Sequence, residues 1–140
     1  MDCLFCKIVR KQIPANLVYE SDKILAFLDI QPINPGHTLV IPKEHYEECL
    51  KTPDEVLAEL MTTVCRIVPG IMTAVGALAF NVGVNCGSVA GQVVFHTHFH
   101  IMPRFPNDSH HHWRGQEMSK EKLNEIAEKI KFNLGAQGSG

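Results

Sequence analysis

Residues 92–104, Gln92-Val-Val-Phe-His96-Thr-His98-Phe-His100-Ile-Met-Pro-Arg104, constrain this chain more than any other stretch. Three histidines alternate with Thr97, Phe99 and Ile101. Side chains on a strand point to opposite faces with period 2. A strand here sets His96, His98 and His100 in a row on one face and sends Phe95, Thr97, Phe99 and Ile101 to a core on the other. Three aligned imidazoles make a poor core, because each neutral ring carries a donor and an acceptor that need partners when buried. They suit a site, and two chemistries fit it. Histidines on one strand face can ligate zinc, and three such ligands leave a catalytic position open. One neutral imidazole can instead attack phosphorus while its neighbours hold its tautomer and bind phosphate oxygens. The residues alone leave both open.

At 140 residues the chain suits one domain with a single core, expected over residues 1–134, with Gly135-Ala-Gln-Gly-Ser-Gly140 as a flexible end over 135–140. The net charge of -2 supplies no basic field, so nucleic acid is not expected as a partner. No membrane is expected either, for lack of an apolar run of the ~20 residues that cross a bilayer. The first residues lack the basic start and apolar core of a signal peptide. Five cysteines, an odd number, point to reduced thiols and a cytoplasmic setting. Cys3 and Cys6 have the spacing of half a zinc site. Cys49, Cys65 and Cys86 have no partner spacing and read as ordinary residues.

Along the chain, Cys3 to Arg10 predicts a short helix capped by Asp2, with Leu4, Phe5 and Ile8 on one face. Leu17–Glu20 and Ile24–Ile30 read as a hairpin around Ser21-Asp22, with Asp29 near its end. Gln31 to His37 is a loop by its two prolines and glycine, and Thr38–Ile41 is a third strand. Thr52-Pro53-Asp54-Glu55 predicts a helix start with Thr52 as cap and Glu55 completing a capping box. Val56, Leu60, Val64, Ile67, Ile71 and Val75 then form one apolar helix face, with a kink or break expected at Pro69-Gly70. Residues 77–84 and 92–102 read as the fourth and fifth strands. Between them, Asn85 to Gly91 is a small-residue loop of the kind whose backbone approaches an anion. Ser119 is placed to cap a last helix that turns Leu123, Ile126, Ala127 and Ile130 inward. Residues 103–117, with His110 to Trp113, read as an exposed irregular stretch. The whole is an α+β pattern of two main helices on one five-stranded sheet.

The run His96-Thr-His98-Phe-His100-Ile-Met, after Ala90-Gly-Gln92 and before Pro103-Arg104, resembles the signature of the histidine triad (HIT) family. Thr97 departs mildly from its apolar pattern. Ala26-Phe-Leu-Asp29-Ile30, the segment from Asn34 through His37 to His45, and Asn85 with Gly87 resemble further family segments in the family's order. The resemblance implies the HIT fold, a five-stranded antiparallel sheet with helices that pairs as a homodimer into a ten-stranded sheet.

It also implies an enzyme acting on purine nucleotide conjugates, adenosine phosphoramidates or dinucleoside polyphosphates. His98 would be the nucleophile and form a nucleotidyl-histidine, with the His96 carbonyl accepting from its Nδ1–H. His100 would contact phosphate and leaving group, and His37 would orient it. Asp29 matches the acid that binds ribose hydroxyls. Phe5, Ile8, Phe27 and Ile30 match the purine pocket, and Asn85, Gly91 and Gln92 the phosphate side. Val93 departs from the hydroxyl or carboxylate that many members carry there, and offers only its backbone N–H. A subset of microbial members binds zinc through residues matching Cys3, Cys6, His45 and His96. Such a closed set of two thiolates and two imidazoles implies a structural metal.

Overall fold

The computed structural model describes residues 2–136. Contacts divide the chain into two compact units that part between Asp108 and Ser109, where the sequence reading drew one domain over 1–134. The first unit is built on one antiparallel five-stranded sheet. Its elements in chain order are α1 (Leu4–Val9), β1 (Leu17–Glu20), β2 (Ile24–Leu28), β3 (Thr38–Pro42), α2 (Asp54–Val75), β4 (Ala79–Gly83) and β5 (Phe99–Arg104). Short 3-10 turns occupy Cys49–Lys51 and Ser88–Ala90. Strand order across the sheet is β1-β2-β3-β5-β4.

Period-2 alternation divides the central strands between two faces. Ile24 and Ala26 of β2, Val40 of β3 and Ile101 of β5 pack against Leu60, Val64, Val68 and Ile71 of α2. Leu25 and Phe27, with Leu39 and Ile41, pack against Phe5 and Ile8 of α1. Each fully buried Leu or Ile contributes about 1.5–3 kcal/mol, so the α2 face is the main anchor of the sheet. The α1 face lends Phe5, Ile8, Phe27 and Leu39 to a cavity.

The fifth strand is shorter than its sequence suggests. It begins at Phe99, so only His100 of the three histidines lies on it. β3 ends at Pro42, which has no N–H to continue the ladder. Residues 92–98 are held by other bonds. The Thr97 N–H donates to the Tyr46 carbonyl (2.7 Å), and its hydroxyl meets that of Thr52 (2.7 Å). His96 Nε2 donates to the Pro42 carbonyl (2.8 Å). The row of three imidazoles is therefore broken between His96, which faces Cys3 and His45, and His98, which stays beside His100, and Phe95, expected in the core, is half-exposed.

The helix ends also differ. Cys3, not Asp2, is the N-cap of α1, its Sγ accepting from the Cys6 N–H at 3.4 Å. Thr52 does not cap α2. Its hydroxyl is turned to the Glu48 carbonyl (2.8 Å) and to Thr97, and Pro53 takes the cap position without a side-chain bond. Asp54 and Glu55 in the first turn still suit the positive end of the helix dipole. α2 continues unbroken through Pro69. Pro69 and Gly70 sit on the exposed side, where the carbonyl freed by the missing N–H can face water. The helix ends at Gly76, whose φ of 73° is left-handed and whose N–H reaches the Met72 carbonyl. By length and apolarity alone (mean hydropathy 1.4) α2 could cross a bilayer, contrary to the sequence expectation. Here it is the core helix, with Leu60 and Val64 fully buried on the sheet.

Gly36 cannot be replaced cheaply. Its φ is +90°, and a Cβ would lie 3.1 Å from Pro103 and from Val75. Asn34 donates to the Pro103 carbonyl (2.9 Å) and to Asp108 (3.0 Å). Asp108 in turn takes a two-point bond from Arg104, at 2.7 and 3.0 Å. These contacts fix the loop that delivers His37.

In the second unit, α3 (Lys120–Ala136) starts as expected, with Ser119 Oγ accepting from the Lys122 N–H (3.1 Å). Leu123 and Ile130, expected inward, are exposed. His110 to Trp113 are exposed as expected. Gly135 and Ala136 belong to α3 rather than to a tail, and residues 137–140 lie outside the described residues.

Candidate active site

A cavity of about 380 Å³ opens on the α1 face of the sheet. One wall is apolar, from Phe5, Ile8, Ile13, Phe27 and Leu39. The other carries Asp29, Asn85, Gly91, His98 and His100. The two walls come from α1, the ends of β2 and β3, the loop after β4, and the chain entering β5.

The tautomers follow from backbone partners. His98 Nδ1 lies 2.7 Å from the His96 carbonyl. A carbonyl only accepts, so Nδ1 holds the proton and Nε2 keeps its lone pair. The Ile33 N–H donates to His37 Nδ1 (3.2 Å), so the His37 proton is on Nε2. That Nε2–H donates to His100 Nδ1 (2.9 Å), which puts the His100 proton on Nε2. Among the described residues this buried Nε2 has no hydrogen-bond partner. The His98 and His100 rings are 5.0 Å apart. An imidazole lone pair and an unused N–H donor therefore stand side by side on one cavity wall.

Burial keeps these rings neutral. It lowers the His98 pKa, partly offset by the His96 carbonyl and by Asp29. It lowers His37 against the pull of Asp29. It lowers His100 to about 4, helped by His98 and His37. Asp29 lies 3.7 Å from His37 Nε2, and its Oδ1 accepts from the Gln31 N–H at 2.9 Å. Phe5 meets the His98 ring edge-on at 5.1 Å.

The third histidine does a different job. His96 Nε2–H is spent on Pro42, so Nδ1 presents its lone pair to a second group. Cys3 Sγ is 3.4 Å from it, Cys6 Sγ 3.6 Å and His45 Nδ1 3.3 Å. Cys6 Sγ is 3.4 Å from His45 Nδ1. All four donor atoms lie within 4.8 Å of one another. Tetrahedral zinc, with bonds of about 2.3 Å to sulfur and about 2.0 Å to nitrogen, sets sulfur and nitrogen about 3.5 Å apart and two nitrogens about 3.3 Å apart. The donor set and its spacing fit that ion. Burial and the Cys3 thiol raise the Cys6 pKa, and burial lowers His96 to about 4. A cation here would find one ligand already neutral and would draw the thiols to thiolates.

Other expected site residues are placed as follows. Ile30 and Val93 line the cavity mouth but are 87% and 85% exposed, so neither packs as a wall. Gln92 is buried and does not line the cavity. Its side-chain amide donates to the Glu47 and Val94 carbonyls (2.8 and 3.1 Å), and its oxygen accepts from the Gly87 N–H (2.9 Å). Gln92 thus shapes the loop that brings Asn85 and Gly91 to the cavity. Sequence reading missed Leu39 and Ile13 on the apolar wall. Leu39 was within reach, since it alternates with Val40 on β3. The Ile33 N–H and the Pro42 carbonyl, which fix two tautomers, left no trace in the sequence because they are backbone groups.

A family model described as HIT domain matches residues 10–107. The chain belongs to this family. Among HIT relatives, adenosine 5'-monophosphoramidase hnt1 of Schizosaccharomyces pombe is 39% identical over 137 residues, covering 96% of this chain and 99% of that protein. Adenylylsulfatase HINT3 of Arabidopsis thaliana is 43% identical over 122 residues, covering 87% of this chain but 61% of that longer protein. The crystal structure of a zinc-bound histidine triad family protein from Mycobacterium smegmatis superposes with a TM-score of 0.76 at 34% identity, covering 99% of each chain. The five-stranded antiparallel HIT fold expected from the sequence is the one observed.

Proposed function

We propose that this HIT protein hydrolyses purine nucleotide conjugates and releases a nucleoside monophosphate through a covalent intermediate on His98. The observation that carries this reading is the pair of opposite tautomers, a lone pair on His98 Nε2 beside a free N–H on His100 Nε2. In the first step a bond forms from His98 Nε2 to the α-phosphorus, and the bond to the leaving group breaks. His100 Nε2–H donates to the charge that develops on phosphate and leaving group. Water then attacks phosphorus, frees the monophosphate and restores neutral His98. Asp29 accepts from the ribose hydroxyls, Asn85 and Gly91 face the phosphate, and the Phe5, Ile8, Phe27 and Leu39 wall takes the base.

The names of the two enzymatic relatives support an adenylyl group with a changeable leaving group, nitrogen in one and sulfate in the other. Adenosine phosphoramidate and dinucleoside polyphosphates are both candidate substrates. Val93 offers no side-chain hydrogen bond at the rim, so it sets no polar preference on the leaving side.

On the same reading Cys3, Cys6, His45 and His96 hold one structural zinc, a closed set with no open position. It would tie α1, which supplies Phe5 and Ile8, to the segment carrying His98. The rival in which His96, His98 and His100 share a catalytic metal is disfavoured, since both His96 nitrogens are engaged away from the other two rings. The protein is also read as a cytoplasmic homodimer. β4 is a sheet edge, and pairing it with its copy would make a ten-stranded sheet. Light scattering behind a sizing column tests the dimer.

The test of function is AMP release from adenosine phosphoramidate, wild type beside His98→Asn, with chelator present. Release by wild type alone is expected. Equal release from both would remove His98 as the nucleophile, and loss of wild-type release to chelator at a temperature where the fold survives would favour a catalytic metal.

A further inference from the structure

Asp108 is a buried carboxylate outside the cavity. Its side chain is 6% exposed, and neither it nor Asn34 lines the cavity wall. Asp108 Oδ2 accepts from Arg104 Nε (2.7 Å), Asn34 Nδ2 (3.0 Å) and the Phe105 N–H (3.1 Å), and Oδ1 accepts from Arg104 Nη2 (3.0 Å). Arg104 also donates through Nη1 to Asn81 of β4 (2.8 Å). The backbone on either side of the carboxylate is bent, with φ of 60° at Asn107 and 65° at Ser109. Residues other than glycine seldom enter that region, and they stay there only where their surroundings hold them. Asn34 links this carboxylate to the site. Its Nδ2 donates to the carbonyl of Pro103 (2.9 Å) as well as to Asp108, and Pro103 lies on β5 three residues after His100. Its own backbone carbonyl accepts from the His37 N–H (3.2 Å), and the N–H of neighbouring Ile33 donates to His37 Nδ1 (3.2 Å). Asp108 and Pro103 therefore clamp the turn that carries His37 to the strand that carries His100. His37 Nε2–H bonds His100 Nδ1 across that junction at 2.9 Å.

We propose that Asp108 is a positioning residue for the reaction, acting through Asn34 and His37 to aim the His100 Nε2–H at the leaving group. Its part in the reaction rests on the reading that His100 serves as that donor, whereas its hold on the His100 tautomer does not. Asp108 touches no reacting atom. It fixes where the His37 ring stands, and His37 fixes which nitrogen of His100 keeps the proton. A small misplacement of a donor is costly, since the bond to a developing charge depends steeply on distance and angle. The Arg104 fork is the reason a carboxylate stands at 108 and not a neutral side chain, because the two-point ion pair anchors the oxygen that Asn34 also uses.

The test uses the full chain and Asp108→Asn, which keeps the shape of the side chain but removes the charge that Arg104 meets. Asn34→Ala is the second variant, and it leaves the backbone carbonyl that His37 needs. Each should lower kcat for adenosine phosphoramidate by about 10-fold, with KM within about 2-fold of wild type. The double variant His37→Phe with Asp108→Asn should be no slower than His37→Phe alone, because the clamp acts through that ring. Long-range proton–nitrogen correlation NMR without substrate should place the His100 proton on Nε2 in wild type and show both tautomers in Asp108→Asn. Losses that multiply in the double variant, a KM that rises as kcat falls, or an unchanged His100 tautomer would each overturn the proposal. So would the unfolding of both single variants, which would make the clamp an element of stability alone. The NMR arm also separates this proposal from the reading of the reaction. A tautomer shift in a chain whose wild type releases no AMP would fail that reaction and leave the hold of Asp108 on His100 standing.

Discussion

His96 and His98 are two residues apart, both buried, and both hydrogen-bonded to a backbone carbonyl, yet they face different groups of side chains. His96 spends Nε2 on Pro42 and turns Nδ1 to Cys3, Cys6 and His45. His98 spends Nδ1 on His96 and leaves Nε2 for the cavity. In the proposed function, the choice of nitrogen given to the backbone decides whether the ring would serve as a metal ligand or as a nucleophile. The surroundings differ in the same sense. The His96 group is closed, with thiols and imidazoles converging on one point. The His98 group is open, with an apolar wall on one side and an unused donor on the other.

The largest expected effect lies in the open group. His98→Asn should reduce turnover by about 10⁴-fold or more, the scale for loss of a nucleophile. Metal content and melting temperature should stay close to wild type, because the His96 carbonyl and ring are untouched. A variant that lost its metal or its fold along with activity would break the separation drawn between the two groups.

The reverse experiment is Cys6→Ser. It should abolish stoichiometric zinc and lower the melting temperature markedly, since a structural ion contributes folding free energy directly. Below its own melting transition the variant should retain most of its turnover, with loss through a loosened Phe5 wall rather than through chemistry. Metal analysis of wild type purified without chelator should give one zinc per chain, and a ratio near zero would remove the structural metal.

The sequence made most of this legible where side chains carry the signal. The hairpin around Ser21-Asp22 and the run Thr38–Ile41 predicted β1, β2 and β3, and the spacing of Leu60, Val64 and Ile71 predicted α2. The resemblance assigned His98, Asp29 and the four-donor group residue by residue. Illegible features depend on backbone atoms or on contacts across the fold. Nothing local to residues 92–98 says that Pro42 ends the neighbouring ladder, so the strand was drawn too long and the three histidines too straight. Thr52 has the sequence of a helix cap, but Thr97, remote in sequence, competes for its hydroxyl and wins. Pro69 reads as a break because its exposure, which makes it tolerable, is a tertiary fact. Gln92 reads as a phosphate contact, whereas its three hydrogen bonds make it a strut between loops.

A smaller effect should separate positioning from chemistry within the open group. His37 touches no reacting atom in the proposed reaction and acts through His100, whose tautomer it fixes. His37→Phe keeps a buried ring but removes the donor to His100 Nδ1. Turnover should fall by about 10- to 100-fold, with KM changed less than kcat, since Asp29 and the apolar wall remain. Equal losses in kcat and in nucleotide affinity would mean that His37 merely shapes the cavity.

The smallest effect is a pH dependence of stability that marks the cost of keeping the open group neutral. The His100 pKa falls from 6.5 unfolded to about 4 folded, with burial as the main cause, and the His37 pKa is also lowered. Between those two pH values the unfolded chain binds a proton that the folded chain refuses. Stability therefore rises with pH across this window, is complete above about 6.5, and is lost as pH drops towards 4. Carboxylates and the four-donor group also titrate in acid, so the comparison must be differential. His100→Gln removes the ring but keeps a buried amide, and its melting temperature should fall less than that of wild type between pH 7 and pH 4.5. Parallel curves would mean that His100 is as easily protonated folded as unfolded, and the neutral donor required beside His98 would then be present only at higher pH.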